Sequence, residues 1–367
     1  MDRVVASFRE GNPAHQRFEF LYPDSVRDHD EAMFQWRLAF VDGELAAGMQ
    51  IVPRPMTVAG CVELSVHGVG NVFCYPTFRK QGLMSELLRR CIADMSEEGG
   101  HLSMLGGDRT RYGLFGWEHA GASRQLTLSA RVTRHRAETR VSGVELRTWT
   151  DNPDDAARMR TAYHRLPYHT HRTDEEFARV LQRPGQVVWI ADGQECGFAY
   201  VSVRPGTILE YAGDAAALRR IVAFLLENGT WNVALPPVEG QGEADAVFMP
   251  HAQFFQATPT AMIRITSLRE TLAAYLPLLH QRLSGWSGVL SLAIGDEECV
   301  TIKGDGRDVV VTRSAPSEQP DLKLERRDMT RLLFGPFPPA LPAEMGSHPV
   351  LRRIAPLPVY WHALAHV

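Results

Sequence analysis

Residues 75–92 read YPTFRKQGLMSELLRRCI, a basic, glycine-containing turn that opens directly into an apolar-periodic run. Leu83, Leu87, Leu88, Cys91, Ile92 and Met95 recur at the spacing of a helix laid on a core, which predicts a helix over residues 83–97. Immediately upstream, GVGNVFCY (68–75) is short and apolar enough for a buried strand. Strand, glycine turn and helix in that order aim unpaired backbone N–H groups at whatever lies above the turn. A phosphate is the occupant this arrangement suits best, since the helix N-terminus adds its dipole to those donors.

The rest of the chain sets the context. Its 367 residues exceed one ordinary core and predict two or three domains. A hydrophobic share of 44% with 22% charged residues is that of a globular protein, and a net charge of −4 points to neither nucleic acid nor an anionic membrane as partner. The opening MDRVVASFREGNP lacks the apolar segment of a signal peptide, and no apolar run of about 18 residues follows, so a cytoplasmic location is expected. Cys61, Cys74, Cys91, Cys196 and Cys299 are scattered without a CxxC, so neither a disulfide framework nor a zinc site is expected.

A repeat runs through the chain. LAFVDGELAAGMQIV (38–52) and VWIADGQECGFAYVSV (188–203) each read as strand, Asp-Gly turn and strand. Each is later followed by an amphipathic helix, at 83–97 and at 215–227, but the second copy arrives through ILEYAGD with no basic turn. The pattern predicts two copies of one α/β unit, of which the first keeps the phosphate loop. SARVTRHRAETRVSG (129–143) reads as a crossing segment. Beyond 266, a helical stretch and three alternating strands with a turn at 304–306 predict a separate α+β unit.

VFCYPTFRKQGLMSELL (72–88) resembles the acyl-CoA signature of the GNAT N-acetyltransferases, Arg/Gln-x-x-Gly-x-Gly/Ala. Arg79, Lys80, Gln81, Gly82 and Leu83 fit it, and Met84 departs from the final small residue. RYGLFGWEHAG (111–121) is similar to the Tyr-x-x-Phe-Gly-aromatic element of the Eis-like (enhanced intracellular survival) branch. The resemblance implies mixed α/β sheets in two tandem GNAT-type domains, the second degenerate, and a sterol-carrier-like C-terminal α+β domain. The expected divisions are 1–130, 131–266 and 267–367.

It also implies an N-acetyltransferase moving an acetyl group directly from acetyl-CoA to a primary amine, without a metal. The implied cofactor residues are Val72, Phe73 and Cys74 on the strand, then Arg79, Lys80, Gln81, Gly82, Leu83, Met84 and Ser85, with Gly107 and Asp108 of LGGD (105–108). Cys74 itself reads as packing rather than a nucleophile. Tyr112 matches the general acid that protonates the departing sulfur, or else packs beside Phe115 and Trp117. The terminal carboxylate of Val367 is the implied base, which requires a buried tail, and VYWHALAHV is apolar enough to dock; Glu118 and His119 are the fallback bases. The acceptor is expected to be a small-molecule or lysine-type amine. Asp24, Asp28, Asp30 and Glu31 would form an acidic acceptor rim or a solvated helix face. YHTHR (168–172) reads as a polar loop, and His362 with His366 lacks a third metal ligand. Relatives of the branch assemble as hexamers, which implies a homo-oligomer. The alternatives are a non-catalytic acyl-CoA-binding protein, or an apolar-ligand carrier acting through the C-terminal unit.

Overall fold

A computed structural model describes Tyr22, Val26 and residues 34–133, 144–237, 242–314 and 319–366. The expected acidic rim (Asp24, Asp28, Asp30, Glu31) and Val367 lie outside the described residues, as does most of the crossing segment. The chain folds into mixed α/β layers, as its sequence predicts. Two large sheets carry the repeated units.

The first sheet has six strands in the order Trp36–Val41, Glu44–Pro53, Val66–Cys74, Leu102–Leu105, Ala261–Ile265, Glu118–Ala120. Its opening hairpin turns on Asp42-Gly43, both at positive φ, with Val41 facing Glu44. The helix Leu83–Glu97 spans the predicted residues and buries Leu87, Leu88, Cys91 and Met95 against Ala47, Met49 and Ile51. Each such leucine contributes about 1.5–3 kcal/mol, enough to fix the start of the helix in space.

The second sheet has seven strands: Ala252–Thr258, Ser123–Leu128, Trp231–Leu235, Thr207–Gly213, Gly197–Arg204, Val187–Gly193, Glu145–Thr148. Its helix, Ala215–Glu227, again follows a strand and precedes a parallel one, so the repeat is real. The Asp192-Gly193 turn is not. Both residues are in the strand, Gly193 faces Gly197, and residues 194–196 make the turn, because Asp192 is drawn into a forked pair with Arg158.

The two units exchange strands. Ser123–Leu128 lies in the second sheet and Ala261–Ile265 in the first, each beside the short parallel strand that follows the unit's helix. Sheet membership therefore does not divide at residues 130 and 266. A third, smaller sheet joins Met56–Val58 and Val62–Leu64 to His169–Thr170. YHTHR is thus no polar loop: Tyr168, Thr170 and Arg172 are buried and two of its residues form a strand.

The last unit is a four-stranded sheet with Leu322–Leu324 parallel to Ser287–Ile294, packed by the helices Leu268–Ala274, Leu276–Arg282 and Arg326–Phe334. Pro277 splits what the periodicity reads as one helix. No helix among the described residues is long and apolar enough to cross a membrane.

Candidate active site

Val66–Cys74 pairs along Glu44–Pro53 as far as Cys74, opposite Ala47. On its other edge it pairs with the parallel strand Leu102–Leu105 only from Val66–Leu102 to Gly68–Met104. Leu102–Leu105 pairs with Ala261–Ile265 along its other edge, and past Gly68 the two parallel strands no longer pair, which leaves that edge of residues 69–74 outside the ladder. The side chains alternate across this arm. Val72 and Cys74 are half-buried on the face of the helix Leu83–Glu97, while Phe73 is buried on the opposite face against Val26, Trp36 and Tyr75. Burial pushes the Cys74 thiol up, against the pull of Arg79, and its Sγ lies 3.7 Å from the Tyr75 carbonyl. Such a thiol is a packing group, not a nucleophile.

The strand leaves into a 3₁₀ turn, Pro76–Phe78, and Arg79 closes it by donating from Nε to the Cys74 carbonyl at 3.1 Å. Lys80 has φ +65° and Gly82 φ +81°. At Gly82, the N-cap, glycine is the residue that adopts this conformation without strain, and a Cβ there would point into open space. The first intrahelical donor is Glu86 N–H, to Gly82 O at 3.1 Å. The amides of Leu83, Met84 and Ser85 therefore face out of the helix end. Arg79, Lys80, Gln81 and Gly82 are exposed around them. These groups fit a pyrophosphate: free donors, a helix dipole, two cations and no Cβ in the way.

At the other arm, Leu102–Leu105 ends in Gly106 and Gly107. A Cβ on Gly107 would lie 2.4 Å from Tyr112 Cε2, so the glycine is what lets the tyrosine ring lie against the strand end. Asp108 does not reach outward; its Oδ1 caps the short helix Arg109–Tyr112 by accepting from Thr110 N and Oγ1 at 2.8 and 2.7 Å. Tyr112 is buried, edge-on to Trp117, in the same cluster as Val72, Cys74, Leu83 and Met84. Burial raises its phenol above the ordinary range, opposed by Arg111, so it stays protonated at neutral pH.

Glu118 is not available as a base. Burial raises its carboxyl, but Arg109 and Arg327 fork onto it and His119 N–H donates at 2.8 Å, and together they hold it down at about 2. It pins the first unit to the helix Arg326–Phe334 instead.

Comparison with known proteins now has a geometry to meet. Residues 7–120 match the family Acetyltransferase (GNAT) domain. The first unit is a GNAT acetyltransferase domain. The chain is accordingly an acyltransferase enzyme. No curated protein sequence matches it. Its fold is similar to that of a conserved protein of unknown function from Enterococcus faecalis, a probable N-acyltransferase: 20% identity, TM-score 0.67, 90% of this chain and 86% of that one covered. A GCN5-related N-acetyltransferase from Anabaena variabilis is similar at 14% identity and TM-score 0.65, over 90% and 87% of the two chains. Eis1 from Mycobacterium abscessus is similar at 14% and 0.63, over 91% and 87%.

The second unit repeats this parting of parallel strands. Thr207–Gly213 pairs with the parallel Trp231–Leu235 only at Thr207–Asn232 and Ile208–Val233. The chain's own tail lies between the arms beyond that point. Tyr360 Oη donates to Ala234 O at 2.9 Å on one side, and the His362 ring meets Tyr211 edge-on at 5.4 Å on the other. Burial, with Arg172 nearby, pulls His362 down to about 3, so it sits there neutral. The helix N-cap in this unit is Asp214, a carboxylate where the first unit has Gly82.

The tail is docked as its apolar composition predicts, with Leu357, Val359, Tyr360, Trp361, Leu364 and Ala365 buried. Near its end Arg183 depresses His366, secondary to burial, and the same Arg183 lies 5.4 Å from the Tyr22 ring. Tyr22 packs in the Phe73 cluster. The buried Arg172–Glu210 pair is a feature that the sequence does not single out; the Arg172 that ends YHTHR is the one local cue.

Proposed function

We propose that this enzyme is an acetyl-CoA-dependent N-acetyltransferase that acts on a primary amine, in the Eis-like manner. The observation that carries the reading is the convergence, in the first unit, of the strand end at residues 72–74 that is unpaired on one edge with the glycine turn and helix start at residues 82–85. Acetyl-CoA bound there supplies the acetyl group as a thioester. Leu83, Met84 and Ser85 amides with Arg79, Lys80 and Gln81 hold its phosphates. Val72–Cys74 lines the acyl-bearing arm, and an amide near Cys74 polarises the carbonyl.

Tyr112 keeps its proton at neutral pH and is the donor to the departing sulfur. The base is the carboxylate of Val367, next to the half-buried His366; the clamped Glu118 supports giving that role to another group. Residues 1–130, 131–266 and 267–367 act as an acetyl-CoA domain, a GNAT-like domain without cofactor, and a sterol-carrier-like domain, in a homo-oligomer located in the cytoplasm. The test is release of free thiol from acetyl-CoA over a broad panel of amines. Turnover of at least one primary amine is expected; binding of acetyl-CoA with no turnover of any amine returns the protein to a binding role.

A further inference from the structure

A cavity of ≈ 690 Å³ lies between the two GNAT-like units. The first unit contributes Gln35, Val52 and Arg54 to its lining, and the second His164, His169 and Arg172. It opens on the face of the first sheet that carries Phe73 and Gln50, opposite the helix Leu83–Glu97. A polar chain joins it to the acyl strand: Gln50 Nε2 donates to Gln35 Oε1 at 2.9 Å, and Asn71 Nδ2 donates to Gln50 Oε1 at 2.7 Å.

Arg172 is 7% exposed, with Nη1 on Glu210 Oε2 at 2.8 Å and Tyr200 Oη donating to the other Glu210 oxygen. Its Nη2 is buried with no hydrogen-bond partner among the described residues, and the same holds for His164 Nε2. A buried guanidinium N–H without an acceptor is costly, and the group that satisfies a forked guanidinium best is an oxyanion. The imidazoles form a tilted row, with His164 5.2 Å from His169 and His169 5.6 Å from His171. His169 Nδ1 donates to Leu166 O at 2.7 Å, and His171 Nε2 lies 3.1 Å from Glu63. The acid lining the cavity, Glu176, is occupied by the Thr173 amide and hydroxyl. After burial, it is the neighbouring His169, Arg160, His171 and Arg172 that push His164 down to about 4, the mark of a positive local field.

We infer that this cavity holds an oxyanion of the acceptor, so that the acetylated molecule is an amine that also carries a carboxylate or phosphate, gripped by Arg172 and His164. The inference rests on the acetyltransferase reading for the word acceptor, but the oxyanion site can be tested without turnover. Glycine, lysine, phenylalanine and phosphoethanolamine are compared with glycinamide, lysinamide, phenylalaninamide and ethanolamine. At least about tenfold higher kcat/KM for some oxyanion-bearing member over its neutral partner is expected, carried by KM. Carboxylates alone, or the phosphate alone, would name the headgroup. Arg172→Lys keeps a cation on Glu210 but lacks the second forked nitrogen, and His164→Gln is a milder change at a half-buried position. Each should erase the preference by raising KM, with kcat and acetyl-CoA affinity unchanged. In parallel, the histidine ring resonances are followed by NMR during titration with the same compounds. Oxyanion-bearing members should shift His164 and His169, and neutral ones should not. Those shifts without turnover of any amine would sink the acetyltransferase reading and leave the oxyanion site standing. Equal use of charged and neutral amines, a preference that survives both variants, or the absence of both preference and ring shifts overturns it.

Discussion

The first and second units build the same strand–helix–strand frame, and in the second the chain's own tail lies between the arms, beside a remaining cavity of ≈ 620 Å³ lined by Gly213, Asp214 and His362. In the first, the helix begins at Gly82 with φ +81° and no Cβ, beside exposed Arg79 and Lys80. In the second, the helix begins at Asp214, whose Oδ2 accepts from Phe198 N–H at 2.8 Å, and the tail residues Tyr360 and His362 occupy the space between the arms. The Asp214 carboxylate makes no hydrogen bond to the helix amides, but its charge beside the helix start opposes a second anion there. One cap residue and one docked segment thus distinguish the two units.

The largest effect should come from giving the first cleft the charge of the second. Lys80→Glu with Gly82→Asp places two carboxylates at the helix end and an aspartate at positive φ. Calorimetry should show one acetyl-CoA site per chain in the parent and no measurable binding in the variant, with the helix content by circular dichroism unchanged. Surviving affinity would move the phosphates elsewhere, and two equal sites in the parent would break the comparison outright.

Next comes the tail. Leu364 and Ala365 are buried, so if Val367 is the base, residues added after it should move its carboxylate. Turnover should fall by about 10²-fold or more, the scale of losing a general base, while acetyl-CoA affinity holds. Normal turnover in an extended protein would remove Val367 from the mechanism.

What the sequence made legible was local. The helix Leu83–Glu97, the glycine turn and the Asp42-Gly43 hairpin follow from residues within a few positions of one another. Strand partners do not, because pairing is set by packing across the whole sheet. Nothing near Ser123–Leu128 or Ala261–Ile265 signals that each belongs to the other unit's sheet. YHTHR misled for the same reason. Its polar composition suits a loop, but Arg172 is buried by Glu210, which is distant in sequence, and Thr170 by the hydroxyl of Tyr163. Glu118 could be read as a free base until Arg327, from the far end of the chain, was seen to fork onto it.

Tyr112 sharpens the comparison at the level of chemistry. The second cleft answers it with Tyr360 and His362, which are engaged in holding the tail. Tyr112→Phe should lower kcat by about 10²-fold with KM for acetyl-CoA nearly unchanged, since a proton donor acts as sulfur leaves. An unchanged kcat would make its contact with Gly107 and Trp117 its whole role.

The smallest expected effect separates the two barriers in the second cleft. Asp214→Asn removes the repelling charge but keeps an oxygen for Phe198 N–H, so stability should change by less than about 1 kcal/mol. If the docked tail is the dominant barrier, calorimetry should still count one acetyl-CoA per chain, because Tyr360 and His362 remain between the arms. Truncation before Tyr360 in the same background then exposes the cleft: weak binding of CoA would show that the tail alone keeps it closed. Binding in the full-length Asp214→Asn protein would reverse that order and make the charge at the helix cap the deciding difference between the two units.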